Sequence, residues 1–152
     1  GIRLEKTFEY IDTPHKFKMG VSGCPRSCVE SGVKDFGIIS VENGFQIYIG
    51  GNGGTEVEKA EFLTTVETED EVIKLCGALM QYYRETGIYA ERTAPWLRRL
   101  GFENVKEVLL DPERQNELFE RIMDAKKAVE AEPWEAITSN AQARKIFEVE
   151  KV

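Results

Sequence analysis

Asp35-Phe36-Gly37-Ile38-Ile39-Ser40-Val41-Glu42-Asn43-Gly44-Phe45-Gln46-Ile47-Tyr48-Ile49-Gly50 decides the fold class. Two strand-like runs, Asp35–Glu42 and Phe45–Gly50, flank Asn43-Gly44, the pair that supplies the positive φ angles of a two-residue type I′ turn, so the stretch predicts a β-hairpin. Phe36 and Ile38 point to one face and Ile39 and Val41 to the other, which predicts that another layer covers each face. Upstream, Phe17, Met19 and Val21 alternate with Lys16, Lys18 and Gly20, the period-two pattern of a strand running into Gly23 and Cys24. Further upstream, Leu4, Phe8 and Ile11 recur at helical spacing and predict the last turns of a helix whose beginning lies outside this chain.

Downstream of the hairpin the pattern turns helical. Phe62–Glu67 reads as one more strand, and Thr68 with Glu71 three residues later forms a capping box for a helix beginning near Glu69. Val72, Leu75, Cys76, Leu79, Met80 and Tyr83 make its apolar stripe, and Gly87 sits where a helix commonly ends in a left-handed residue. A second helix runs through Trp96 and Leu97 to Leu100, with Pro95 marking a break or fresh start and Gly101 closing it. Val105, Val108 and Leu109 make a short third helix. Asp111-Pro112 then supplies a capping acceptor and a first-turn proline for a fourth, with Leu118, Ile122, Ala125 and Val129 as its buried face and an end near Pro133. Trp134, Ile137, Ile146 and Phe147 are spaced loosely along a final tail, docked or mobile. The expected organisation is therefore α+β, in three parts: residues 1–67, a helical segment 68–132 packing on them, and a tail 133–152.

The 152 residues suit one globular domain. Their net charge of −7 repels a phosphate backbone and excludes a general nucleic-acid binder. No apolar run is long enough to span a membrane, and Gly1-Ile2-Arg3-Leu4-Glu5-Lys6 lacks the apolar centre of a secretion signal, so a cytoplasmic location is expected. Three cysteines, an odd number, argue for reduced thiols rather than a disulfide framework. Residues 1–50 hold six basic and six acidic side chains, which leaves the entire −7 in residues 51–152. Within the neutral part, Lys16, Lys18, Arg26 and Lys34 face Glu30 alone between residues 15 and 34, a local net of +3 that would attract an anion.

That basic segment contains Ser22-Gly23-Cys24-Pro25-Arg26-Ser27-Cys28. Proline is well tolerated at the first helical position, so Pro25 is expected to begin a short helix, with Cys24 as its cap and Cys28 one turn further on the same side. A helix N-terminus would favour each thiolate by about 0.3–1 kcal/mol. Thiolates bind soft metals, so a metal ion or iron–sulfur cluster is one reading; ordinary half-buried cysteines are the other. Zinc lacks partners: His15 reads as a loop or interface residue, and Cys76 belongs to an apolar helix stripe. Gly50-Gly51-Asn52-Gly53-Gly54 leaves backbone bare for a flat or anionic ligand, or is a plain loop; the hairpin returns it toward the cysteine strand.

Pro14-His15-Lys16-Phe17-Lys18-Met19, Val21-Ser22-Gly23-Cys24-Pro25-Arg26-Ser27-Cys28, Lys34-Asp35-Phe36-Gly37 and Gly50-Gly51-Asn52-Gly53-Gly54 together resemble the sirohaem nitrite and sulfite reductases. The similarity is greatest to large subunits of the assimilatory NAD(P)H-dependent nitrite reductases, whose C-terminal region Glu91-Arg92-Thr93-Ala94-Pro95-Trp96 also resembles, and it extends from residue 1 to about residue 110. In that family four cysteines, an upstream C-x5-C pair and a downstream C-x3-C pair, hold a [4Fe-4S] cluster, and the last also bridges to sirohaem iron. The resemblance thus implies Cys24 as a cluster ligand, Cys28 as both cluster and sirohaem ligand, and a six-electron reduction of nitrite to ammonia. It further implies that Lys16, Lys18 and Arg26, with the amides around Gly51, Asn52 and Gly53, meet the carboxylates of sirohaem; solvated charges are the alternative.

The upstream cysteine pair is not in this sequence, nor is a G-x-G-x-x-G run. The resemblance therefore implies half of a sirohaem/iron–sulfur domain followed by helices, from the C-terminal part of a longer polypeptide. FAD and NAD(P)H would sit on other parts of it, the rest of the same polypeptide and a small nitrite reductase subunit would be its partners, and the isolated chain would be inactive and without a stable cluster. An assimilatory sulfite reductase is the alternative enzyme, and a stand-alone thiol redox or metal-binding module the alternative of another class.

Overall fold

A computed structural model describes residues 1–130 and 138–144. Helix α1 (Ile2–Phe8) leads to β1 (Met19–Ser22), a 3-10 turn (Ser31–Val33), β2 (Phe36–Val41), β3 (Gly44–Ile49), two short strands β4 (Asn52–Gly53) and β5 (Val57–Glu58), and β6 (Glu61–Val66). Helices α2 (Glu69–Thr86), α3 (Thr93–Leu100), α4 (Phe102–Leu110) and α5 (Pro112–Glu130) follow, and Ala141–Arg144 form one further turn. The class is α+β, as expected. Trp134, Ile137, Ile146 and Phe147, on which the expected tail rests, lie outside the described residues.

The main sheet has the order β1-β2-β3-β6 and is mixed: β1 runs parallel to β2, while β2, β3 and β6 are antiparallel neighbours. The hairpin forms as expected, but its turn does not. Val41 pairs with Gly44, so Glu42 and Asn43 are the turn residues, and neither has the positive φ a type I′ turn demands; the positive value, 129°, falls on Gly44. A side chain on Gly44 would also meet Val66 O at 2.2 Å, so close approach of β6 independently demands glycine.

One sheet face packs into a continuous core. Phe36, Ile38, Ile47 and Ile49 meet the stripe of α2, where Val72, Leu75, Cys76, Leu79, Met80 and Tyr83 are all buried as the periodicity predicts. The opposite face is covered less completely than its apolar residues suggest: Ile39 is buried, but Tyr48 rests edge-on against a half-exposed Phe62. The capping box forms in full, with the Thr68 hydroxyl accepting from Glu71 N–H at 3.2 Å and the Glu71 carboxylate accepting from Thr68 N–H at 2.9 Å. Gly87 closes α2 in an extended conformation (φ −74°, ψ 143°), not a left-handed one. Its role is space, since a Cβ there would lie 2.8 Å from Pro14 and 2.6 Å from Tyr83 O.

Pro95 is the third residue of α3, where its missing N–H has no intrahelical partner to lose. Asp111 caps α5 by accepting from Arg114 N–H at 2.8 Å. Leu118 and Ile122 are buried as expected, whereas Val129 is exposed and Lys126 takes the inward place instead. Its ammonium donates to Glu9 O at 3.0 Å and lies 3.2 Å from Glu130, so α5 ties down the end of α1.

Candidate functional site

Parallel neighbours cannot be joined by a tight turn, so the chain must cross over between β1 and β2, and that crossover carries both cysteines of the C-x3-C motif. Cys24 and Cys28 are exposed and free. The expected helix at Pro25 is absent. Residues 24–30 instead make two successive turns, closed by Ser27 N–H donating to Cys24 O at 3.2 Å and Glu30 N–H donating to Ser27 O at 2.8 Å. Ser27 and Glu30 take left-handed φ values of 51° and 54°, which halts helical winding after each turn. Pro25 is the second residue of the first turn, where its fixed φ serves as well as at a helix start. No helix dipole therefore acts on the two thiols, and the local positive charge is that of side chains.

Arg26 lies on the cysteine loop itself, while Lys16 and Lys18 precede β1 at the end of the strand away from the cysteines; all three are exposed and, among the described residues, without an ion-pair partner. Lys34 is partly neutralised by Glu30 at 3.6 Å. Backbone bonds fix the path of the lysines: Lys16 N–H donates to His15 Nδ1 and Lys18 N–H to Asp35 Oδ2, both at 2.8 Å.

The glycine run does return to the end of the cysteine crossover. Gly51 N–H donates to Lys34 O at 2.9 Å and Gly50 N–H to Asp35 O at 3.0 Å. Both glycines are buried for close packing: a Cβ on Gly51 would lie 2.6 Å from Lys34 O, and one on Gly50 would lie 2.4 Å from the Leu97 side chain. The amide of Gly51 is thus committed to the protein rather than open to a ligand, because the run packs against Val33 and Lys34 before it emerges. Gly53 is exposed. Asn52 Nδ2 donates to Glu56 O at 2.8 Å, while its buried Oδ1 has no hydrogen-bond partner among the described residues.

Asp35 is a centre that the motif reading did not single out. Its carboxylate has no exposed surface and accepts from Lys18 N–H, from Arg92 Nη2 at 2.9 and 3.1 Å, and from the Thr93 hydroxyl. The starts of β1, β2 and α3 therefore converge on one carboxylate, whose signal in the sequence was only its place in Lys34-Asp35-Phe36-Gly37 and that of its partners in Glu91–Trp96. Burial, and then the Asp35 charge, push the nearby Tyr83 hydroxyl up to about 12. Burial likewise pushes the Cys76 thiol up; it contacts Met19 Sδ at 3.7 Å, consistent with a core residue. His15 lies in the loop before β1, where its Nδ1 accepts from Lys16 N–H. Among the described residues, no three His, Cys, Asp or Glu side chains gather to hold a metal ion. The donor set is two soft, accessible sulfurs on one loop, suited to a thiolate-liganded iron cluster as half of its ligands.

Comparison with known proteins gives the family. Residues 2–117 match the family described as the nitrite and sulphite reductase 4Fe-4S domain. The chain is 48% identical over 149 residues to the nitrite reductase [NAD(P)H] of Bacillus subtilis, covering 97% of this chain and 18% of that protein. It is 38% identical over 149 residues to the nitrite reductase (NADH) large subunit of Escherichia coli, covering 95% of this chain and again 18% of the relative. An assimilatory-type sulfite reductase of Nitratidesulfovibrio vulgaris is 29% identical over 110 residues, 72% of this chain and 50% of that protein. The chain spans 18% of the length of each of these two nitrite reductases.

Proposed function

The chain belongs to the nitrite and sulphite reductase 4Fe-4S domain family, and on that premise we propose that it serves within a longer NAD(P)H-dependent nitrite reductase, where Cys24 and Cys28 are two of the four thiolate ligands of a [4Fe-4S] cluster and Cys28 also ligates sirohaem iron. The observation that carries this reading is the pair of free, exposed thiols on one two-turn loop at the end of β1. When bound, cluster and sirohaem would carry electrons drawn from NAD(P)H into the six-electron reduction of nitrite to ammonia. The other two thiolates come from elsewhere in the same polypeptide, a view supported by the relatives' greater length.

The chain's own part is binding and orientation. Lys16, Lys18 and Arg26 offer positive charge to the sirohaem carboxylates, and Asn52 and Gly53 follow Gly51, whose N–H is held by Lys34 O at the end of the crossover. Gly51 contributes by letting the run lie close to Lys34. Residues 1–67 form the cofactor-facing unit and the helices that follow residue 67 support it; the expected boundary between residues 132 and 133 lies outside the described residues. FAD and NAD(P)H belong to other parts of the protein, a small nitrite reductase subunit is its partner, and the cytoplasm is its location; no described helix is long and apolar enough to cross a membrane. Alone, the chain is inactive and holds no stable cluster.

The test is anaerobic purification of the intact protein with and without Cys28→Ser. The wild type should contain iron, sulfide and sirohaem and form ammonia from nitrite, and the variant should lose sirohaem and activity; a variant with full haem content would refute the assignment. The sulfite reductase relative keeps sulfite as the second candidate substrate. Faster sulfide formation from sulfite than ammonia formation from nitrite would favour it.

A further inference from the structure

The cysteine crossover is fastened at its base by two buried serines that lie outside the ligand set. Ser22 is the last residue of β1 and Ser31 the first of the 3-10 turn, and they are 2% and 0% exposed. Their hydroxyls lie 2.8 Å apart, and Ser31 Oγ is also 3.2 Å from Gly20 O and 3.0 Å from Ile38 O. A hydroxyl has one donor and two acceptor positions, so Ser22 can donate to Ser31 while Ser31 donates to a strand carbonyl. The sheet is shaped to receive this contact. Gly37 faces the turn from β2, and a Cβ on it would lie 2.0 Å from Ser31 O. By contrast, the two backbone bonds that close the turns at Ser27 and Glu30 are internal to the loop, so they shape it without tethering it to the sheet. The exposed Lys34–Glu30 pair at 3.6 Å adds little.

We propose that Ser22 and Ser31 are positioning residues: their hydroxyl pair clasps the two ends of the crossover and holds the Cys24 and Cys28 thiols in register with the rest of the cluster site. This inference rests on the cluster reading above. Removing the Ser31 hydroxyl strands the buried Ser22 hydroxyl and cuts the bonds to Gly20 O and Ile38 O, whereas removing Ser22 cuts only the link between the two ends, so Ser31→Ala should loosen the loop more than Ser22→Ala while the core beneath α2 stays packed.

The test uses the intact protein, purified anaerobically as wild type, Ser31→Ala, Ser22→Ala and Ser22→Thr. In cofactor-free protein, the alanine variants should raise amide exchange at Ser27 and Glu30 by about three- to tenfold, the size of one lost net hydrogen bond, with amides of Leu75 and Leu79 unchanged. In loaded protein they should bleach faster in air and alter the spectrum of the reduced cluster, whereas Ser22→Thr, which keeps the hydroxyl, should match wild type. Alanine variants with wild-type exchange and spectra would overturn the proposal. So would exchange rising equally in α2, which would make the serines merely structural. An intact wild type containing no iron or sulfide would overturn the cluster reading itself, a failure distinct from a loaded wild type whose variants behave identically.

Discussion

Asp35 has no exposed surface, so its charge is tolerable only through its partners. Arg92, Thr93 and Lys18 N–H supply them, and the arginine is itself largely buried at 15% exposure. Asp35→Asn keeps the shape but leaves the guanidinium without its counter-charge, and should cost about 3 kcal/mol, read as a lower urea midpoint. Adding Arg92→Gln should recover part of that loss; an unchanged midpoint in the single variant would contradict the pairing. The link joins residues 57 apart in sequence, and no local spacing announces such a contact. The cysteine motif, by contrast, stands out in the sequence because its residue types and spacing are local, and both thiols are exposed and free. The amide of Gly51 was not legible, because its partner Lys34 O is set by how the hairpin folds back.

Local patterns determined α2 almost completely, from its Thr68–Glu71 cap to its buried stripe. The Thr68 hydroxyl, and then its N–H, hold the Glu71 carboxyl below its ordinary 4.5. Glu71 therefore contributes stability above its unfolded value, and that contribution fades as pH falls through the lower folded value. Thr68→Ala should cost about 1 kcal/mol and move Glu71 back toward its ordinary value in an NMR titration; an unmoved titration would deny the cap. Turns were less legible. Pro25 satisfies a helix start and the second position of a β-turn equally, and only the left-handed Ser27 and Glu30 decide between them. Asn43-Gly44 marked the hairpin correctly, but cross-strand pairing of Val41 with Gly44 placed the turn one residue earlier. Gly37→Ala should displace Ser31, whose carbonyl lies 2.0 Å from the new Cβ position, and lower the urea midpoint more than Gly53→Ala, where the nearest atom is 3.5 Å away. Equal midpoints would show that the turn is not seated there.

The molecule as a whole divides its charge: residues 1–50 are neutral and carry the exposed Lys16, Lys18 and Arg26, while residues 51–152 hold the net −7. On the proposed reading, an anionic cofactor would meet less repulsion from residues 1–50 than from the helices. Replacing Lys16, Lys18 and Arg26 together with Gln should lower sirohaem retention in the intact protein, and unchanged haem content would dismiss that role. Family and fold class were readable because the motifs lie in sequence-local blocks, whereas the incomplete cover over Tyr48 and Phe62 depends on how the whole sheet is packed. The measurement that bears most directly on the site is iron, sulfide and sirohaem content of the intact protein, made anaerobically as wild type, Cys24→Ser, Cys28→Ser and Cys76→Ser. Wild type and Cys76→Ser should hold a full 4Fe-4S complement with sirohaem while the other two lose it; retention of both groups in Cys24→Ser or Cys28→Ser would contradict the account.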